Sequence, residues 1–184
     1  LSGITVTEDS KRFYPYGNEA AHILGFTGID NQGLAGLELV CNDKLKGVQG
    51  HISFSANARG ESLPGGHDRF LPPKDGYDLM LTLDHTVQAV IERELDQAVA
   101  QYQPENVLAI AMNPKTGEIL GMGSRPTFRP DEYRKVSPMI YNRNLPIWKT
   151  YEPGSTFKII TLAAALQENK VNLKEGFYDP GFVT

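Results

Sequence analysis

The sequence has 184 residues, 40% of them apolar, with 22 acidic and 18 basic side chains and a net charge of −4. That length fits one domain or a small domain plus part of another, and the mild negative charge without a long basic run argues against nucleic-acid binding. The single cysteine, Cys41, excludes an intrachain disulfide, and no apolar run approaches the ~20 residues that span a bilayer.

Turn-forming residues divide the N-terminal part of the chain into short segments. We expect a helix over residues 18–23, with Asn18 as its N-cap, and a second helix over residues 37–45. The second helix is expected to carry one apolar stripe, formed by Leu37, Val40, Cys41 and Leu45. This placement predicts that Cys41 is a small buried side chain and not a reactive thiol.

A composition change near residue 75 predicts a domain boundary. Residues 47–54 predict a strand, and the Gly- and Pro-rich residues 55–75 predict a hairpin followed by a linker. We therefore expect one region over residues 1–74 and another over residues 75–184. Residues 77–83 alternate in part between polar and apolar side chains and predict the first strand of the second region.

The second region predicts a helix packed on an antiparallel hairpin. Asp84 is a favoured N-cap for a helix that ends near Tyr102. Its expected buried face holds Val87, Val90, Ile91, Leu95 and Val99, with Glu92, Arg93, Asp96 and Gln97 mostly on the other face. The apolar run 107–112 predicts a buried strand, and the turn 113–117 leads to a returning strand over 118–122. These elements predict an α+β architecture.

A long stretch with four prolines, residues 125–148, leads to the segment from Tyr151 to Lys158. Loops of that length are uncommon in compact domains and are often functional. Pro153 and Gly154 then interrupt the backbone, which places Ser155 as the expected cap of the helix that follows. Residues 159–166 are apolar apart from one threonine and predict a buried helix.

Ser155 and Lys158 have the spacing of a nucleophile and its base. Residues three apart on a helix lie on the same face. A serine hydroxyl is a weak nucleophile until a neighbouring base takes its proton, and a lysine whose charged form is disfavoured by burial can act as that base. The N–H groups at the helix start also suit a developing oxyanion.

The motif has a second interpretation. Four residues with two fixed occur by chance in many proteins, and Ser155 could simply cap the helix while Lys158 extends to water. The Pro-Gly interruption and the apolar helix favour the catalytic interpretation, because this is the nucleophile placement of penicillin-binding proteins and class A β-lactamases.

Several blocks along the chain carry a family resemblance. They are Arg12-Phe13-Tyr14-Pro15, Gly33 to Glu38, Leu81 to Asp84, Asn113 to Leu120, Ser124-Arg125-Pro126, Asn142-Arg143 and Glu152 to Lys158. Together they resemble the class B penicillin-binding proteins over nearly the whole length. The tail from Phe177 to Gly181 leans toward a sporulation-specific subgroup of that family.

The resemblance implies a fold and an activity. It implies that residues 1–74 belong to a small mixed non-catalytic pedestal, and residues 75–184 to the N-terminal part of a transpeptidase domain like that of serine β-lactamases. It implies a D,D-transpeptidase that cross-links peptidoglycan stem peptides ending in D-Ala-D-Ala through a Ser155 acyl-enzyme, with Lys158 as proton acceptor. Asn142 and Arg143 are expected to bind substrate beside Ser155.

The resemblance also implies partners and a location. We expect β-lactam antibiotics to acylate the serine, and proteins of cell-wall synthesis, division or sporulation to bind. The location would be the extracytoplasmic face of the bacterial membrane, with attachment through an N-terminal anchor that this chain does not contain. No cofactor is implied, and the scattered histidines, His22, His51, His67 and His85, lack the spacing of metal ligands.

The family has two further motifs after the serine helix, S-x-N and K-T-G, and neither follows Lys158 in this sequence. Ser55-Ala56-Asn57 and Lys115-Thr116-Gly117 look similar but precede the serine, and the second reads as a hairpin turn. The chain begins at Leu1 without a methionine, so we interpret it as a processed or truncated piece. We expect such a piece to be inactive alone.

Two other functions remain open from the sequence. The pedestal region could be an assembly module that binds cell-wall synthesis proteins, with the catalytic part as a passenger. A β-lactam sensor or β-lactamase could use the same Ser155 and Lys158. The large N-terminal region with Gly33 to Glu38 argues against the sensor and the β-lactamase.

Overall fold

The chain forms two compact units, residues 1–149 and residues 150–184. The computed structural model describes residues 10–53, 69–176, 178 and 180–181. The first unit combines helices with short antiparallel strand pairs. The α+β architecture predicted from the sequence is therefore confirmed.

Short elements make up the described N-terminal part: α1 (Ala21–Leu24), α2 (Gly36–Val40), α3 (Asn42–Leu45), β1 (His51–Ser53) and β2 (Arg69–Leu71). The helix predicted over 18–23 begins only at Ala21, because Ala20 has a left-handed backbone with φ 51°. The single helix predicted over 37–45 is wrong, since the backbone turns at Cys41 (φ −99°, ψ 6°). That break disrupts the expected stripe: Val40 is 80% exposed and Cys41 is half-buried.

The predicted strand over 77–83 is also wrong. The residues form no regular element and have no partner strand, and their hydrogen bonds go to two separate elements. The Tyr77 amide donates to the Lys44 carbonyl at 2.9 Å, whereas the Thr82 hydroxyl donates to the Ile119 carbonyl at 2.7 Å. Partial alternation of polar and apolar side chains produces a strand only where a neighbouring strand supplies hydrogen bonds. Residues 77–83 have no such neighbour.

The helix α4 (His85–Tyr102) begins as predicted. The Asp84 carboxylate accepts a hydrogen bond from the Val87 amide at 2.9 Å and so caps the helix. The helix packs against the hairpin of β3 (Val107–Met112) and β4 (Ile119–Arg125). The helix approaches β4 closely at Gly121, where an added Cβ would lie 2.7 Å from Ile91 Cδ1 and would displace the end of that side chain.

The hairpin is confirmed, but its first strand is not fully buried as predicted. Val107 pairs with Arg125 and Ile110 with Met122. The side chains of β3 alternate between half-buried and exposed, and Ile110 and Met112 are among the exposed ones. Alternation follows because α4 packs against the opposite face, and successive side chains of a strand point to opposite faces.

The stretch after β4 is not structureless, contrary to the prediction. It contains a 3₁₀ segment (Pro130–Lys135), α5 (Pro138–Tyr141) and α6 (Leu145–Trp148). Four rings from both ends of the unit form what we call the aromatic cluster: Phe26, Phe128, Tyr133 and Tyr141. Phe26 is 2% exposed and stacks on Tyr133 with ring centroids 3.9 Å apart. The cluster fixes the long loop to the N-terminal part of the chain.

His22 adds a pH-dependent contact beside this cluster. Its ring lies edge-on to Phe128 at 5.0 Å, and its Nε2 is 2.9 Å from the Ile140 carbonyl. Burial lowers the pKa of the imidazole, although the Ile140 hydrogen bond and the charge of Glu92 oppose the shift, while Arg125 adds to it. The folded chain therefore binds this proton less readily than the unfolded chain.

Lowering the pH should accordingly destabilise the first unit. A histidine with a depressed folded pKa stabilises the native state above the unfolded pKa of about 6.5, and this contribution is lost as the pH falls below it. We expect His22→Gln to flatten the dependence of the unfolding free energy on pH between neutral and acidic conditions, measured by denaturant titration. The matched change of exposed His51 to Gln should leave the slope unchanged, and a steep slope in the His22 variant would contradict the assignment.

The second unit contains a 3₁₀ turn (Gly154–Phe157) that continues into α7 (Lys158–Gln167). The predicted helix is confirmed, but the prediction that it is buried is wrong, since Ile159 is 72% exposed and Ile160 is 60% exposed. Within the described part of this unit no strand or second long helix is present to cover the apolar side chains. The apolar composition of α7 predicts that its side chains are buried, but burial also requires a second element that packs against them.

A peptide of residues 150–184 should consequently be largely non-helical in water. The helix α7 has 10 residues, and isolated helices shorter than about 12–15 residues are marginal even for good helix formers. Far-ultraviolet circular dichroism should show little helix until trifluoroethanol is added. A stable helical spectrum in plain buffer would show that local propensity alone maintains α7.

Two further properties concern the described residues as a whole. None of their helices has both the length and the apolar character that crossing a bilayer demands. Their His, Cys, Asp and Glu side chains form no group that could hold a metal ion.

Candidate active site

The Ser155–Lys158 motif lies where a 3₁₀ turn joins a helix. Gly154 begins the turn with φ 54°, and the Lys158 amide donates hydrogen bonds to the carbonyls of Ser155 and Thr156. In a 3₁₀ turn the side chains at positions i and i+3 eclipse. The backbone therefore puts residues Ser155 and Lys158 one turn apart, on the same side of the turn.

Ser155 is not the helix cap that the sequence predicted. Pro153 precedes the 3₁₀ turn and Phe157 precedes α7, and neither has a side-chain capping bond. The Thr156 hydroxyl, not that of Ser155, donates to the Pro153 carbonyl. Among the described residues no hydrogen bond engages the Ser155 side chain, which is exposed, so the geometry removes the capping explanation for this serine.

Lys158 is exposed, contrary to the expected burial. The reason is the same as for α7, because the unit of residues 150–184 supplies no covering layer in its described part. The exposed side chain therefore lacks the burial that can turn a lysine into a base. Burial against other parts of a domain is the condition under which it could become a base.

Asn142 and Arg143, the predicted substrate-binding residues, lie in the first unit at the end of α5. The Asn142 amide donates to the Pro138 carbonyl at 3.1 Å, and its side chain is exposed. The Arg143 guanidinium stacks over the Trp148 ring at 4.2 Å from the centroid, a cation–π contact of about 0.5–1 kcal/mol at exposed sites. Trp148 is 56% exposed, so it does not fill a core.

Of the two look-alike motifs, the structure describes only Lys115-Thr116-Gly117. Lys115-Thr116-Gly117 forms the hairpin turn, as predicted, with Gly117 at φ 78°. The Thr116 hydroxyl donates to the Glu118 carboxylate at 2.8 Å. Ser55-Ala56-Asn57 lies outside the described residues.

Sequence reasoning missed a buried polar network on the inner face of α4. Glu92, which was expected mostly on the outer face, is 8% exposed, and Gln88 beside it is 3% exposed. Gln88 bonds the backbone of Met122 twice, accepting from its N–H at 2.9 Å and donating to its carbonyl at 3.0 Å. The available signal was the spacing of Gln88, Glu92 and Asp96 by four residues, which places all three on one helix face.

Arg125 is the cation of this network. It donates to the Glu92 carboxylate at 2.7 Å and to the Asp96 carboxylate at 2.6 Å. Burial alone would lower the pKa of the guanidinium, but the hydrogen bonds to Asp96 and Glu92 outweigh that effect and raise the pKa. The Arg125 bond also lowers the pKa of Asp96. Both shifts favour the charged forms of Arg125 and Asp96.

Family models match both parts of the chain. The penicillin-binding protein dimerisation domain matches residues 1–81, and the penicillin-binding protein transpeptidase domain matches residues 107–184. The residues between these matches include all of α4.

Individual relatives agree with these matches. The chain is 59% identical to stage V sporulation protein D of Bacillus subtilis over 98% of its own length and 28% of that protein's. It is 33% identical to the peptidoglycan D,D-transpeptidase FtsI of Escherichia coli over 93% of its own length and 29% of that protein's. The chain thus spans less than a third of either relative.

A solved structure gives the same result. The chain superposes on a peptidoglycan synthetase from Bifidobacterium adolescentis with a TM-score of 0.78 and 26% identity, covering 95% of this chain and 31% of that one. Sequence and structure together show that the chain belongs to the class B penicillin-binding proteins.

Proposed function

We propose that the protein carrying this chain is a D,D-transpeptidase that cross-links peptidoglycan through an acyl-enzyme on Ser155. The observation that supports this most directly is the backbone of the 3₁₀ turn, in which Ser155 and Lys158 are one turn apart and the serine makes no capping bond. The names of the relatives, peptidoglycan D,D-transpeptidase among them, support the same reaction class.

In the proposed reaction the neutral amine of Lys158 accepts the hydroxyl proton while the Ser155 oxygen attacks the penultimate D-Ala carbonyl of a stem peptide. The bond to the terminal D-Ala breaks, the proton passes to the leaving amine, and an acyl-enzyme remains. An amino group of a second stem peptide then takes the acyl group and restores the serine. A β-lactam acylates the same oxygen but has no separate leaving group to diffuse away.

We propose that the dry environment required by Lys158 is provided by the assembled domain. Its neutral form is favoured only after burial, and the apolar side chains beside it, such as Ile159 and Ile160, are exposed in their own unit. Covering this surface would dehydrate the amine at the same time. The 184-residue chain by itself should therefore react poorly with β-lactams.

The remaining assignments belong to the same proposal. Residues 1–74 form the non-catalytic pedestal that binds cell-wall synthesis, division or sporulation proteins, and residues 75–184 begin the transpeptidase domain. Asn142 and Arg143 bind substrate. The protein acts on the extracytoplasmic face of the bacterial membrane, where its peptidoglycan substrate is found.

The test is covalent labelling of the natural full-length protein with a fluorescent penicillin, followed by peptide mass mapping. We expect one stoichiometric adduct on Ser155, absent after Ser155→Ala and unaffected by Ser137→Ala, which changes the capping serine of α5. The 184-residue chain, treated in parallel, should carry little label. An adduct at another residue, or none in the natural protein, would rule out the proposed nucleophile.

A further inference from the structure

The carboxylate of Glu92 joins three separate segments of the first unit. It accepts hydrogen bonds from the Ala20 amide at 3.0 Å, from the Gln88 side chain at 2.7 Å and from the Arg125 guanidinium at 2.7 Å. These donors lie in the N-terminal segment, on α4 itself and at the end of β4. One buried side chain thus ties the pedestal region to the hairpin.

Arg125 is held from several directions. Besides its two carboxylate partners, it donates to the carbonyls of Ser124 at 3.1 Å and of Glu92 at 2.9 Å. A guanidinium with bonds in a fixed fork has little orientational freedom. The end of β4 is therefore fixed in direction, and the residue after it begins the loop of residues 126–148.

The physical effect of this network is to set geometry more than to add stability. A buried ion pair adds little net stability over apolar residues of similar volume, because desolvation offsets the attraction. Breaking such a pair nevertheless leaves an uncompensated buried charge, which displaces its neighbours. The network therefore penalises any arrangement in which Ala20 and Arg125 move apart.

Ala20 and Arg125, whose groups Glu92 binds, are both connected to the loop of residues 126–148. Ala20 precedes α1, and Phe26 after that helix contributes a ring to the aromatic cluster. Arg125 precedes the loop that contributes the other rings, of which Tyr141 is the last. Asn142 and Arg143 follow Tyr141 immediately. The position of Asn142 and Arg143 thus depends on the segment that follows Ala20 and on the loop that follows Arg125. Glu92 sets the distance between Ala20 and Arg125.

We propose that Glu92 is a positioning residue for substrate binding, which fixes Asn142 and Arg143 by holding the Ala20 amide and the Arg125 guanidinium together. This rests on the function proposed above, since it concerns substrate binding by the same enzyme. Glu92 touches neither substrate nor nucleophile in this proposal and acts through the loop alone.

The test separates binding from chemistry. Stopped-flow acylation of the natural full-length protein by a fluorescent penicillin, over a range of concentrations, gives the dissociation constant of the first complex and the first-order rate of acylation. We expect Glu92→Gln to raise the dissociation constant about tenfold, since a displacement of about 1 Å can cost much more than that. The acylation rate should change less than about twofold.

The control is Glu94→Gln, which changes an exposed carboxylate two residues further along the same helix. It should leave both constants as in the unmodified protein. A lower amount of labelled protein with both constants unchanged would mean that Glu92 only maintains the fold, and this would overturn the proposal. Absence of labelling in the unmodified protein would instead overturn the proposed function.

A second variant decides the matter if Glu92→Gln fails to fold. Asp96→Asn removes the other carboxylate partner of Arg125, and the Asp96 side chain is 66% exposed, so no buried acceptor is lost. In this variant the Arg125 guanidinium keeps its hydrogen bond to Glu92 but loses its ion pair with Asp96, so its orientation is less restrained. We expect the dissociation constant to rise about threefold. An unchanged constant in this variant would contradict the positioning role.

Discussion

Replacing Lys158 by methionine in the natural full-length protein is expected to slow acylation of Ser155 by about 10³-fold, within the 10²–10⁴ range of a general base. Methionine keeps an apolar stem of similar length and removes the amine that is proposed to accept the serine proton. Burst labelling by a fluorescent penicillin measures the rate. Lys170→Met, in an exposed position beyond α7, is the matched control and should label normally.

Lys158→Arg tests whether Lys158 is a base or only a positive charge. Arginine keeps the charge but is not deprotonated in proteins, so it cannot accept a proton. We expect this variant to be as slow as the methionine variant. Acylation by the arginine variant at close to the original rate would show that Lys158 acts through its charge, and the base assignment would be wrong.

Phe26→Ala is expected to lower the unfolding free energy of the chain by about 3–5 kcal/mol, the usual cost of removing a buried phenylalanine side chain. The ring is 2% exposed and contacts three other rings of the aromatic cluster. Its loss would leave a cavity that these rigid rings fill poorly. Denaturant unfolding followed by tyrosine fluorescence measures the change.

The matched control is Phe13→Ala, because Phe13 is 80% exposed. Surface substitutions usually change stability by no more than about 0.5 kcal/mol. A loss of less than about 1 kcal/mol in the Phe26 variant would mean that the cluster contributes little, since that is below the cost of a typical buried phenylalanine. The loop would then have to be held mainly by the network of Glu92 and Arg125.

Local signals were sufficient for several elements. Asp84 was predicted as a cap from its own chemistry and accepts the expected hydrogen bond. The turn at Lys115-Thr116-Gly117 followed from its composition, and Gly117 has the predicted positive φ. These features depend on neighbours within a few residues, so the sequence contains what is needed to predict them.

Predictions that required a distant partner were less successful. The strand over 77–83 was wrong because a strand needs a partner. Glu92 was assigned mostly to an exposed face because its partner Arg125 is 33 residues away in the chain. The buried network and the aromatic cluster both join segments more than 70 residues apart, such as Ala20 with Glu92 and Phe26 with Tyr133.

The family and the spacing of Ser155 and Lys158 could be predicted from the residues alone, because motifs and one turn of helix are properties of consecutive residues. Which charges are buried and which apolar surfaces are covered became known from the folded chain. Burial depends on what other segments supply, and for α7 no described part of its own unit supplies a cover. Local chemistry thus predicts candidate reacting groups, whereas packing determines whether a lysine such as Lys158 is buried enough to act as a base.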